Sequence, residues 1–281
     1  MAMTQDDIKK YYEIEWPKLF GKTASAVLEH PYFRQIGPLT TELIHEAFLR
    51  DNHVKVDGGR VLDVGCGWGR WTYFYSTKFR PVSYVGVDFV PASVETLRKQ
   101  FPSVEGQPVT FTFHQADITE ADKDIGERFD LVNIANVLFH IPEDDKYDRA
   151  MEFLARHVND GGAVVTTEYL PEVTFRTNMM KVRSRTEFEQ RARRVGLKTV
   201  AVRADSFFAS HPFAVLDQEK HANIFRAINS MQEILEKADA PSRQVLRPFF
   251  AHLEKCVVDY FGSKVDATQF PGQKLVLLRK V

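Results

Sequence analysis

Two rhythms of apolar and polar residues run along this chain. Between residues 60 and 203, short apolar runs at 61–64, 84–87, 109–113, 131–134, 163–167 and 197–202 alternate with helically spaced stretches near 69–79, 91–100, 144–158 and 185–194. Strands alternating with helices predict βαβ units and a mostly parallel sheet. Asp88 closes one run, and Pro91 sits just inside the next helix. The first 55 residues read as helical instead. Thr4 or Asp6 caps a helix to about Glu15 that Pro17 ends, and a second helix fits 39–49 with Leu39, Leu43, Ile44, Ala47 and Phe48 on one face. After residue 204 two amphipathic helices follow. One carries Ile224, Ile228, Met231 and Leu235; the other carries Phe249, Phe250, Leu253, Val257 and Tyr260, with Pro248 in its first turn. A last apolar run, 274–279, reads as one more strand. The predicted organisation is a helical lid or cap at 1–55, an α/β domain at 56–204 and 271–281, and a helical insertion at 205–270 serving as substrate cap or dimer interface.

Composition narrows the function. Of 281 residues, 44% are hydrophobic and 27% charged, which excludes a wholly disordered chain. Lys and Arg number 37 against 38 Asp and Glu, so nucleic acid is not expected as a partner. Two cysteines, Cys66 and Cys256, cannot build a disulfide framework and suit the cytoplasm. The polar, acidic N-terminus is unlike a signal peptide, and no apolar run approaches the roughly 20 residues that span a bilayer. The near-neutral total conceals residues 176–203, with nine basic side chains against Glu187 and Glu189. That segment is either a solvated helix face or a docking surface for an anionic substrate. Eleven of the 22 phenylalanines fall in the two flanking segments, where they are expected to pack the cap onto the sheet.

The candidate chemistry starts at Val61-Leu62-Asp63-Val64-Gly65-Cys66-Gly67-Trp68-Gly69-Arg70. A strand runs into a loop with glycine at every second position, and a helix follows. Glycine lets the backbone turn tightly and lets a ligand approach the main chain. The dinucleotide pattern fails because Arg70 stands at its third glycine, and no Gly-Lys-Ser/Thr of a P-loop follows. Asp63 beside the loop repels a pyrophosphate and favours a ligand with positive charge. Asp88 ends the second strand, where a carboxylate can hold both hydroxyls of a ribose. Asp117-Ile118 after the third strand can take an adenine amino group and pack its ring.

VLDVGCGWGR, YVGVDFV, FHQADI, FDLVNIANVLFHIP and NDGGAVVTTEY, taken in order, resemble the motifs of the class I, Rossmann-like S-adenosylmethionine-dependent methyltransferases, small-molecule branch. The resemblance covers about 58–203. It implies a seven-stranded, mostly parallel α/β sheet with flanking helices, and S-adenosylmethionine as cofactor with S-adenosylhomocysteine as product. It assigns Gly65, Gly67 and Gly69, with Cys66 and Trp68 between them, to the methionine part. By the same resemblance Asp63 would act on the amino group, directly or through water, Asp88 would hold the ribose with Phe89 beside the adenine, Asp117 and Ile118 would hold the adenine, and Asn136 would lie near the sulfonium.

Methyl transfer is an in-line displacement in which the enzyme chiefly orients the acceptor. A hydroxyl acceptor usually needs a general base or a metal. His140, after the fourth strand, Glu168, at the end of the fifth, and His211, in the aromatic stretch SFFASHPF, are the candidates. Each has a plain structural alternative: a turn histidine, a solvated strand-end acid and a packed histidine. No metal site is expected. The leading expectation is O-methylation of a small molecule; N-methylation and a non-catalytic cofactor-binding regulator are the alternatives.

Overall fold

The computed structural model describes residues 3–20, 36–104, 106, 108–206, 222–264, 266 and 272–281. Its main sheet contains β1 (Arg60–Val64), β2 (Ser83–Asp88), β3 (Thr110–Gln115), β4 (Phe129–Ile134), β5 (Val158–Glu168), β8 (Leu197–Ser206) and β9 (Gln273–Lys280). β6 (Phe175–Arg176) and β7 (Lys181–Val182) form a separate small hairpin, which the sequence reading missed because each strand has only two residues. The sheet order is β3-β2-β1-β4-β5-β9-β8. The first five strands pair in parallel, and β9 runs antiparallel to both β5 and β8. β8 therefore points the same way as β1–β5. The chain reverses direction across the sheet between β1 and β4, and ligands of open α/β sheets bind beyond the carboxyl ends at such a switch point.

β1, β2 and β4 are buried almost throughout on both faces because helices cover both, whereas β3 at the edge exposes Thr110 and Thr112. One face carries Ile44, Phe48 and Leu49 of α3 (Ile36–Asp51), Trp71, Phe74 and Tyr75 of α4 (Arg70–Lys78), Val94 and Leu97 of α5 (Pro91–Gln100) and Val258 of α9 (Ala240–Lys264). The other carries Tyr147, Met151, Phe153 and Leu154 of α6 (Asp144–His157) with Phe188 and Ala192 of α7 (Arg185–Arg194). α8 (Ala222–Lys237) precedes α9 and meets it through Met231 and Ala251. α9 packs against both α3 and β8, so part of the predicted insertion serves as a flanking helix of the sheet.

Three local expectations need revision. Thr4 caps α1 (Gln5–Lys10) in a reciprocal capping box with Asp7, but the helix does not stop at Pro17. It continues through a π-helical turn (Tyr11–Glu15) into α2 (Trp16–Phe20). Pro17 lacks an N–H, and the wider turn just before it already interrupts the regular bonding ladder. Pro248 lies inside α9 rather than in its first turn. It is exposed there, where water can solvate the carbonyl left unpaired. Phe48 is core and Phe250 packs on the Met231–Ala251 contact, but Phe249 is 60% exposed and packs no cap. The other flanking phenylalanine side chains, from Phe20 to Phe270, lie outside the described residues.

Candidate active site

The carboxyl edge of the sheet is organised by the loop after β1. Gly65, Gly67 and Gly69 adopt φ of 71°, 52° and 93°, a region costly for residues with a Cβ. The Gly65 and Cys66 N–H groups donate to Val87 O at 2.7 and 3.1 Å. The Gly67 N–H donates to Asp88 Oδ2 at 2.8 Å, while the Val90 N–H holds Asp88 Oδ1 at 2.9 Å. A Cβ on Gly65 would lie 2.3 Å from Val137 Cγ2, whereas one on Gly67 would meet nothing closer than 3.9 Å. The loop is packed on one side and open on the other. α4 begins directly after it with no side-chain cap, so its first N–H groups face the loop.

Asp63 lies under this loop and is fully buried. Tyr84 OH donates to its Oδ2 at 2.6 Å and Asn133 Nδ2 to its Oδ1 at 2.7 Å. Asp63 and Asn133 are register partners on β1 and β4, so this triad follows from the sheet order. Burial pushes the Asp63 carboxyl up to about 7 against the pull of both hydrogen bonds. With both oxygens engaged, Asp63 clamps β1, β2 and β4 together. Cys66 is buried, and its sulfur would stand 3.0 Å from a Cβ on Gly86, so it is a packed residue whose thiol burial pushes up. Trp68 is also buried.

The N-terminal segment lies across the loop after β3. Lys9 pairs with Asp117 Oδ2, and the Thr119 N–H and hydroxyl hold Asp117 Oδ1 at 2.9 and 2.7 Å. Burial raises the Asp117 pKa, but Lys9 and Thr119 together outweigh it and leave the carboxyl below its usual range. Ile118 is buried beside it in the core. Tyr12 stands edge-on to Phe89 at 6.3 Å and to His140 at 5.6 Å, backed by Trp16 at 5.4 Å. This aromatic cluster reaches from the end of β2 to the turn after β4.

His140 sits in that turn. Its Nδ1 lies 3.2 Å from Met179 O and its Nε2 3.2 Å from Tyr12 OH. The carbonyl can only accept, so Nδ1 carries the proton and the Nε2 lone pair faces the hydroxyl. Burial holds the imidazole down to about 4, against the Met179 hydrogen bond, so it is neutral near pH 7. Asn136 adopts φ of 59° at the end of β4. Its N–H donates to Thr167 Oγ1 at 2.7 Å, and its Oδ1 accepts from Thr167 at 3.1 Å and Gln273 at 3.0 Å. Thr167 and Gln273 went unnoticed in the sequence because only the β5–β9 pairing brings them to Asn136. Glu168 is buried, and burial pushes it up to about 8 despite Arg183 and Thr166. It shares its surroundings with Arg183 and Tyr147, on the α6 and α7 side of the sheet. His211 lies outside the described residues.

The basic segment is largely neutralised within the fold. Lys181, Arg183 and Arg191 converge on Asp144 at 2.5, 2.9 and 3.1 Å, and Arg191 also meets Asp148 at 2.6 Å. Arg185 pairs with Glu189, and Arg203 with Asp51 and Asp259. Among the described residues no cluster of three or more His, Cys, Asp or Glu side chains could hold a metal ion, and no helix is long and apolar enough to cross a membrane.

These features fit S-adenosylmethionine. The open Gly67 side and the uncapped α4 N-terminus suit its amino-acid end, the Asp88 carboxylate suits its ribose, and Asp117 with Ile118 suits its adenine. A methyltransferase-domain family model matches residues 61–162. A malonyl-(acyl-carrier protein) O-methyltransferase from Paenibacillus sp. (strain JDR-2) is 28% identical over 137 residues, 47% of this chain and 47% of the relative. The chain thus spans about half the length of that curated relative. Magnesium protoporphyrin IX methyltransferase from Synechocystis PCC 6803, solved with bound SAM, aligns at a TM-score of 0.53 and 16% identity, covering 74% of this chain and 92% of its own. The (4+2)-cyclase SpnF aligns at 0.57 and 16% identity, covering 99% and 97%. The matched methyltransferase-domain segment and the likeness to these structures give the chain the class I, Rossmann-like fold.

Proposed function

We propose that this protein transfers the methyl group of S-adenosylmethionine to a hydroxyl oxygen of a small molecule. The observation that carries the oxygen acceptor is the His140 Nε2 lone pair, directed at the Tyr12 hydroxyl at 3.2 Å with the ring's tautomer fixed by Met179 O. An acceptor hydroxyl taking the position of the Tyr12 oxygen would donate its proton to Nε2. The cofactor supplies an electrophilic methyl group and a neutral thioether leaving group. The chain supplies the rest: the glycine loop and Asp88 fix the cofactor, Tyr12 and Trp16 cover it, and His140 takes the proton. In this reading Glu168 supports the fold beside Arg183 and is not a base. The N-terminal helical segment that carries Tyr12 borders the acceptor.

A cyclase on the same fold means that the fold does not dictate methyl transfer, so the test must read the methyl group itself. Metabolite extracts incubated with enzyme and methyl-labelled cofactor, analysed by mass spectrometry, should yield a labelled O-methyl product. His140→Gln should lose on the order of 10²–10⁴-fold in turnover while cofactor affinity stays within a factor of a few. A labelled N-methyl product, or full turnover by His140→Gln, would overturn the oxygen-base assignment. Cofactor binding without any labelled product would favour a non-catalytic role.

A further inference from the structure

The turn after β4 carries a side-chain amide whose orientation is set from behind. Asn136 is exposed between the buried Ala135 and Leu138 and holds its backbone at a φ of 59°. Asparagine enters that left-handed region more readily than most residues. Its N–H donates to Thr167 Oγ1 at 2.7 Å, and the Thr167 hydroxyl in turn donates to Asn136 Oδ1 at 3.1 Å. Gln273 Nε2 donates to the same Oδ1 at 3.0 Å. A carbonyl oxygen has two lone pairs, so both are engaged. The end of the amide left to meet a ligand is Nδ2, a donor only.

The two residues that turn this amide belong to different strands. Thr167 is buried near the end of β5, and Gln273 is the first residue of β9. The amide they turn stands at the glycine loop, since Val137, the next residue, is the one that a Cβ on Gly65 would strike. His140 follows within a single turn, its N–H bonded to Val137 O at 2.9 Å. A donor and a proton acceptor thus share one short segment of the carboxyl edge.

Resting on the methyl-transfer reading above, we propose that Thr167 and Gln273 are positioning residues that present the Asn136 Nδ2–H to the acceptor atom, and that this donor end selects oxygen over nitrogen. A hydroxyl oxygen has two lone pairs. One accepts from Asn136 while the other forms the bond to the methyl carbon, and the carbon–sulfur bond breaks with its electron pair left on sulfur. The hydroxyl proton passes to His140 Nε2. The Asn136 N–H stabilises the negative charge that builds on oxygen as the proton leaves. A neutral amine has one lone pair, and a hydrogen bond from Asn136 would occupy the pair it needs for attack. Its nitrogen also turns positive in the transfer, which an N–H dipole opposes.

The test combines calorimetry with S-adenosylhomocysteine and steady-state kinetics with the acceptor identified by its labelled product in the extract experiment. Gln273→Glu replaces a donor by an ionised acceptor, so the Asn136 amide turns round and offers Oδ1 instead. That variant should lose tenfold or more in kcat, with S-adenosylhomocysteine affinity within a factor of two or three of wild type. Asn136→Asp removes the donor and should lose on the order of 10²–10³-fold in kcat. Thr167→Val should lose turnover and Thr167→Ser, which keeps the hydroxyl, should recover most of it. An O-methyl product with full kcat in Gln273→Glu would overturn the positioning role and leave the methyl-transfer reading standing. Equal losses of S-adenosylhomocysteine affinity and kcat would assign the amide to the cofactor and overturn its role toward the acceptor. An N-methyl product would overturn the selection of oxygen. A wild type that binds no S-adenosylhomocysteine, or binds it and yields no labelled product, would overturn the methyl-transfer reading and this proposal with it.

Discussion

Gly65 and Gly67 both stand at positive φ two residues apart, yet their surroundings differ. An alanine at Gly65 adds backbone strain and drives its Cβ to 2.3 Å from Val137. Strain and overpacking together should cost on the order of 3 kcal/mol. Thermal denaturation should record this for Gly65→Ala as a fall in Tm of roughly 6–12 °C. Gly67→Ala meets no close neighbour and should lose only about 1 kcal/mol, the backbone cost alone. It should nevertheless abolish most of the stabilisation by S-adenosylmethionine, since its Cβ enters the space the ligand takes. Equal loss of stability in the two variants would mean that the loop is not open at Gly67. The glycine pattern was legible in the sequence because only glycine meets those backbone angles cheaply. The job of Asp63 was not. That Tyr84 and Asn133 each donate to one of its oxygens depends on which strands become neighbours, which a linear reading does not show.

At the level of elements, the strands were the most readable part. Each is a short apolar run, and all seven runs are strands of the one sheet. The helices before and after were read with less success, because their contacts are long-range. The sequence places α9 in an insertion that serves as substrate cap or dimer interface, and Val258 packs it on the sheet's core. The N-terminal segment carries a device that only the fold reveals: Lys9 occupies the carboxylate expected to hold the adenine amino group. Asp117 Oδ1 is already engaged by Thr119, so an adenine held by Asp117 would compete with Lys9 at Oδ2. A partly exposed pair of this kind is worth about 1 kcal/mol or less. Lys9→Met should therefore tighten S-adenosylmethionine binding by up to roughly fivefold in calorimetric titration. Weaker binding by that variant would mean that Lys9 reaches the cofactor itself. Residues 176–203 make the same point about charge. Their excess of basic residues looks like an anion site in the sequence, but Asp144, Asp148, Glu187 and Glu189 answer most of it once α6 and α7 pack together.

Across the whole molecule, raised carboxyls collect along one edge of the sheet. Burial lifts Asp63 and Asp205 to about 7 and Glu168 to about 8, and raises Asp88 as well. A carboxyl whose folded pKa is raised binds its proton more tightly in the fold than in the unfolded chain. The stability it lends is full below the unfolded value and is lost as pH rises through the folded value. For Glu168 that window runs from about 4.5 to about 8. Other groups oppose it. Burial lowers His45 to about 3 and His140 to about 4, so these favour the fold increasingly up to their ordinary value of 6.5. Lys274, lowered by burial to about 7, favours the fold increasingly from there to 10.5. The pH profile of the wild type is thus a composite, but a single substitution isolates one component. Glu168→Gln stays neutral at every pH and nearly preserves shape. Its Tm relative to wild type should rise steadily between pH 4.5 and 8 and level off beyond. The gain at pH 8 is expected to be several degrees, because each pKa unit corresponds to about 1.4 kcal/mol and each kcal/mol to about 2–4 °C at this size. A difference that stays flat across this range would mean that Glu168 is ionised in the fold and paired with Arg183, which would return it to consideration as a charged residue of the active edge.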